Sequence, residues 1–186
     1  MSTDENFLES ARKLFSYYKA QGEKAIAQLT DEQINARPNE ASNSIALIVH
    51  HLNGNMLSRW TDFLTTDGEK PTRNREAEFE EGYPDKKSLL EAWEQGWKAL
   101  LDTLDSLKPE DLTTIIYIRN EGQTVLEAIQ RQLAHYPLHV GQILYQAKAL
   151  KGSDFQSLSI PKGGSKAFNA QKFGAEKSRK HFTDTH

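Results

Sequence analysis

Apolar residues recur at spacings of three and four through four long stretches of this chain, and no other feature restricts its fold as much. Phe7, Ala11, Leu14, Phe15, Tyr18, Ala25 and Leu29 mark the first, from about Asn6 to Leu29. Ile45, Ile48, Val49, Leu52, Met56, Trp60 and Phe63 mark the second, which opens at the cap candidates Ser42, Asn43 and Ser44 and runs to about Thr65. The third begins at Pro84-Asp85, carries Leu89, Leu90, Trp93, Trp97, Leu100, Leu101 and Leu104, and closes at Lys108-Pro109. The fourth runs from about Thr124 to Leu150 on Val125, Ile129, Tyr136, Val140, Ile143 and Ala147. It stops at Lys151-Gly152, a basic residue followed by a helix-ending glycine. Each stripe occupies one face of a helix and must be buried against another such face, so the pattern predicts an all-α four-helix bundle.

The connecting segments read differently. Arg37-Pro38-Asn39 interrupts helix. Asp67 to Pro84 is polar and rich in Lys, Arg and Glu, and reads as a long surface loop of the kind that is often functional or mobile. Thr113 to Ile118 is rich in β-branched residues and is followed by Asn120-Glu121-Gly122, which predicts one irregular extended segment ending in a turn. After Gly152 the chain turns to Ser, Gly, Lys and Asn, with Pro161 and Gly163-Gly164 inside. We therefore expect one bundle domain over residues 1–165 and a flexible, irregular C-terminal tail over 166–186. No internal repeat is visible.

A chain of 186 residues suffices for a single domain with a true core. Its net charge of −3 leaves no basic surplus for binding nucleic acid through phosphates. There is no cysteine, which removes disulfides, thiolate zinc sites, iron–sulfur clusters and a cysteine nucleophile together. A tightly held metal would have to use His, Asp or Glu. No apolar run approaches the roughly 20 residues that cross a bilayer, and MSTDENFLES has acidic residues where a signal peptide is basic. The expectation is a cytoplasmic protein without membrane contact.

Histidines four apart on a helix share a face, so His135 and His139 can reach one ion. Gln132, His135, His139, Gln142 and Gln146 fall in one narrow arc at the border of the apolar stripe. A bare pair at this spacing is often no more than a surface feature. Here Pro137 stands between the two, where it removes a helical hydrogen bond at a cost of about 3 kcal/mol. On the second stretch His50 and His51 point about 100° apart, and periodicity leaves either as a third ligand. The zincin motif fails because Tyr136, not Glu, follows His135. Di-iron motifs fail because no Glu stands three residues before any of these four histidines.

With these residues in view, the chain resembles the DinB/YfiT-like superfamily of four-helix-bundle metalloenzymes, in a bacterial branch of uncharacterised function. The resemblance rests on Ser44-Ile45-Ala46-Leu47-Ile48-Val49-His50-His51-Leu52-Asn53-Gly54-Asn55, on His135-Tyr136-Pro137-Leu138-His139-Val140-Gly141-Gln142-Ile143, and on Ser159-Ile160-Pro161-Lys162-Gly163-Gly164-Ser165. It spans nearly the whole chain. It implies that the His before Leu-x-Gly-Asn, which is His51, is the third metal ligand beside His135 and His139. It also implies a divalent ion, nickel or zinc, and a homodimer. Relatives in that superfamily include transferases and isomerases that use low-molecular-weight thiols.

Three neutral imidazoles leave a fourth position open, as catalytic rather than structural sites do. The leading functional expectation is a metal-dependent thiol transferase or hydrolase acting on a small-molecule thiol or electrophile. The alternative is a non-enzymatic metal-binding or partner-binding, stress-related bundle, favoured by the lack of an evident general base beside the histidines. Asn55, Gln132 and Gln142 are candidates to orient a ligand or support the histidines. Arg59 reads as a solvated surface arginine rather than an anion site, and Tyr136 as core. No catalytic residue is assigned.

Overall fold

The computed structural model describes residues 1–185. It is mostly helical, 64% helix and 4% strand. Four long helices carry most of each predicted stripe: α1 (Thr3–Ala27), α3 (Ile45–Trp60), α4 (Lys86–Ser106) and α5 (Val125–Lys151), with Leu29 and Phe63 just past the ends of α1 and α3 and the second stretch stopping short of Thr65. Their starts follow local chemistry. Ser2 and Thr124 close capping boxes with Glu5 and Glu127, while Ser44 and Asp85 accept from the backbone N–H groups of Leu47 and Ser88. Gly152 ends α5 with φ of 58°, a value that costs glycine little.

α3 lies along α4 and α1 along α5, with further contacts of α1 with α4 and α3 with α5. At their centre the stripes deliver Phe15, Trp97, Trp93 and Tyr136, whose rings pack tilted or edge to face at centroid distances of 5.4 to 6.4 Å. Tyr136 is fully buried, so its hydroxyl needs partners. It accepts from Trp60 Nε1 at 3.0 Å and donates to Asn55 Oδ1 at 3.0 Å. This pair of bonds fixes α5 against α3 one residue away from His135, and so links core packing to the histidines. Tyr136 is therefore core, as expected.

The short elements depart from the sequence reading. Just past Leu29, where the first stripe ends, Thr30 caps a separate single-turn helix α2 (Asp31–Asn35), again with a capping box to Gln33. One turn carrying one buried apolar residue, Ile34, is too short for periodicity to register. The single irregular strand is in fact a hairpin of β1 (Ile115–Ile118) and β2 (Glu121–Thr124). Ile118 pairs with Glu121, which leaves Arg119-Asn120 as a two-residue turn with φ of 56° and 61°. Positive φ at both positions is the mark of a type I′ turn. Gly122, read as part of the turn, pairs with Tyr117 inside the ladder.

Beyond α5 the chain forms α6 (Ser165–Phe173) and a 3-10 turn at Phe182–Thr185. The latter meets α1 through Phe182 on Tyr17 and Asp184 on Lys13. Among the described residues no helix is long and apolar enough to cross a membrane.

Candidate metal centre

His51, His135 and His139 come together between α3 and α5, with one ring nitrogen from each within 4.8 Å of the others. Nε2 of His135 and Nε2 of His139 are 3.1 Å apart, and the His51 ring lies 5.6 and 5.0 Å from theirs, centroid to centroid. His51 is buried and the other two are half-buried. His50 is turned away: its Nδ1 meets the Glu81 carbonyl at 2.7 Å, its ring packs near Tyr83, and it lines a different cavity.

The outward ring nitrogens are all occupied by acceptors. Nδ1 of His51 donates to Glu78 Oε2 at 3.0 Å, Nδ1 of His135 to Gln132 Oε1 at 3.2 Å, and Nδ1 of His139 to Gln142 Oε1 at 2.8 Å. With the Nδ1 atoms donating, each neutral ring carries its lone pair on Nε2. The 3.1 Å approach between His135 and His139 is then an approach of two lone pairs rather than a hydrogen bond. Such an arrangement is relieved by a cation between them, and a ligand histidine backed by an outer acceptor is the usual support of a metal ligand. Three neutral imidazoles brought this close could hold a metal ion.

Glu78 comes from the loop that the sequence presents only as polar surface. The loop is pinned at its start, where Ser58 Oγ donates to the Gly68 carbonyl at 2.8 Å, Arg59 reaches the same carbonyl, and Gly68 N donates to the Tyr117 carbonyl at 2.8 Å. A 3-10 turn at Ala77–Phe79 then lowers Glu78 to 2% exposure against α3. Its carboxylate accepts from His51 and from Arg73, through Nε at 2.6 Å and Nη2 at 2.8 Å. The approach needs Gly54, because a Cβ there would overlap Oε1 of Glu78. Burial pushes the Glu78 carboxyl upward, but the bonds from His51 and Arg73 outweigh it and hold the group below the usual range. Phe79 stacks on His51 at 5.1 Å and shields that side of the site.

Burial first, then His139, His51, Arg131 and Arg59, lower the His135 pKa from 6.5 to about 4. Burial also lowers that of His139, with His51 adding to the effect and the bond to Gln142 opposing it. Both rings are thus neutral and ready to ligate at physiological pH. The same shift sets a pH dependence. Between about pH 6.5 and 4 the unfolded chain takes up a proton at His135 that the folded metal-free chain refuses, so stability is lost as pH falls through that window. Melting temperatures of metal-free protein should fall from pH 7 to pH 4 more steeply than those of His135→Gln. Equal slopes would exclude the neutral buried imidazole.

The histidines open onto a cavity of about 390 Å³, also lined by Asn55, Gln132, Phe79 and five arginines. Asn55 and Gln132 therefore reach the site as the sequence suggested, and Gln142 supports it from outside. Arg59 does not behave as a solvated arginine. It is 6% exposed and paired with Glu69 at 3.1 Å, because the loop folds over the end of α3 and covers it. Glu78 and Arg73 escaped sequence reasoning, since nothing in a charged loop marks which of its residues turns inward.

No curated protein matches this chain. A family model does, over residues 2–164, a span that includes all three histidines and Glu78. The chain belongs to that family, DUF1572, described as a protein of unknown function.

Proposed function

We propose that this protein is a metal-dependent thiol transferase or hydrolase with a four-helix-bundle architecture of the DinB/YfiT-like superfamily. His51, His135 and His139 hold one nickel or zinc ion. The observation that carries the reading is the convergence of three imidazoles whose Nδ1 atoms are all engaged by outer acceptors. A divalent ion held by these three histidines would supply Lewis acidity at the cavity.

The chain's own groups narrow the chemistry. Glu78, Gln132 and Gln142 hold the three rings in the Nε2-inward tautomer. Phe79 keeps water from one side of His51. Among the described residues no carboxylate lines the cavity, and both oxygens of Glu78 are already bonded. A nucleophile that needs no protein base suits this wall, and a thiol, with an ordinary pKa near 8.5, needs less help than water. Thiol transfer is therefore favoured over hydrolysis. On the same reading the protein is a cytoplasmic homodimer, for which Leu138 and Tyr145, exposed on one face of α5, offer apolar surface.

The absence of a carboxylate also favours the alternative, a metal-binding or partner-binding bundle without turnover. One assay separates the two. Protein loaded with one equivalent of zinc or nickel is mixed with a panel of small thiols and an aryl or alkyl halide, and separately with a panel of esters. Consumption of thiol and release of halide should exceed that of metal-free protein and of His135→Ala. Metal retention with no turnover across thiols and esters would leave only the non-enzymatic reading.

A further inference from the structure

The wall of the histidine cavity is cationic beyond what the histidines need. Arg59, Arg73, Arg75, Arg119 and Arg131 line it, drawn from α3, the loop, the hairpin turn and α5. Two carboxylates answer them. Glu78 takes Arg73, and Glu69 is shared by Arg59 at 3.1 Å, Arg119 at 3.1 Å and Arg73 at 3.5 Å. Arg75 and Arg131 make no ion pair among the described residues. Deeper in, Arg59 is 6% exposed and its Nε has no hydrogen-bond partner. A buried guanidinium N–H without an acceptor is costly, and so is a desolvated cation facing other cations. Both costs fall when an anion occupies the cavity.

We propose that the cavity binds a small organic anion, a carboxylate or phosphate carried by the substrate, held between Arg75 and Arg131 at the mouth and Arg59 within. The planar forked guanidinium matches either oxyanion with paired hydrogen bonds, which a lysine would not. The cavity's size suits a small metabolite, not a polymer. Histidines and arginines line the same cavity, so the anionic group can anchor the molecule while its reacting group faces the Nε2 atoms. The inference deepens the metal-centre reading by naming the class of molecule that reading acts on, and the binding itself needs no metal.

The test uses isothermal titration of the full-length protein with succinate, inorganic phosphate and the neutral succinamide, once in chelator and once with one equivalent of zinc. Succinate, phosphate or both should bind in chelator, succinamide should not, and Arg75→Gln with Arg131→Gln should weaken binding roughly 10- to 100-fold. Both positions are exposed, so the double variant should fold as the parent does. Lys87→Gln, at an exposed lysine that does not line the cavity, should bind like the parent. Binding of succinate alone identifies a carboxylate and of phosphate alone a phosphate ester; either supports the site. Absence of anion binding, or an equal loss in Lys87→Gln, overturns it. Anion binding in a protein that retains no zinc would defeat the metal reading alone, and zinc retention without anion binding would defeat this inference alone.

Discussion

Alanine at His135 is expected to abolish stoichiometric retention of zinc or nickel by the purified protein. Among the described residues, the three Nε2 atoms are the donors left free to ligate at the centre, because Glu78, Gln132 and Gln142 are spent on the Nδ1 atoms. Loss of an outer partner typically costs 10- to 100-fold in metal affinity, and loss of a direct ligand should exceed that, at least about 100-fold here. His51→Ala and His139→Ala should behave alike, since the geometry gives neither a substitute. His50→Ala should keep the metal, because that ring bonds to the Glu81 carbonyl and not to the cluster. Metal analysis after dialysis distinguishes the four variants. Equal metal in parent and triad variants would falsify the assignment.

Glu78→Ala should produce the largest loss of stability of any change outside the aromatic core. It removes the acceptor of His51 Nδ1 and the main counter-ion of Arg73, whose side chain is 4% exposed. Breaking a buried ion pair from one side leaves a desolvated charge and costs about 3–5 kcal/mol. For a domain of this size that is a fall in melting temperature of roughly 10 °C. Metal affinity should drop about 10- to 100-fold as His51 loses its fixed tautomer. Glu78→Gln keeps an acceptor oxygen for His51 while removing the charge. It should therefore retain most of the metal affinity yet still lose stability. A melting temperature for Glu78→Ala within a degree or two of the parent would show that Glu69, 3.5 Å from Arg73, is a sufficient partner.

These two predictions rest on residues of unequal legibility. His135 and His139 can be paired from spacing alone, because helix geometry is local and four residues always make one turn. The long helices are legible for the same reason: a stripe at 3.6-residue spacing and a capping residue both act within a few positions of themselves. α2 and the two-strand hairpin escape that logic. One is shorter than a period, and the other depends on which residues of Arg119-Asn120-Glu121-Gly122 take positive φ, which the pairing of β1 with β2 decides.

Arg59 and Glu78 mark the boundary more sharply. A charged residue near a helix end or in a polar loop is usually solvated, and nothing adjacent in sequence says otherwise for either one. Glu78 lies 27 positions from His51, and its burial comes from the loop being pinned at Gly68 and from the space left by Gly54. Arg59 is covered by that same loop.

Local chemistry along the chain is enough to specify four long amphipathic helices in an all-α fold, and a histidine pair at ligand spacing on the last of them. Periodicity left His50 and His51 equivalent and the resemblance pointed to His51; the tertiary structure brings His51 beside the pair, turns His50 to the Glu81 carbonyl and sets Glu78 behind His51. It alone gathered five arginines around one cavity. The reason is physical: periodicity and caps are short-range, whereas a choice between two neighbouring histidines depends on which one a distant helix and a folded-over loop leave facing the same few ångströms of space.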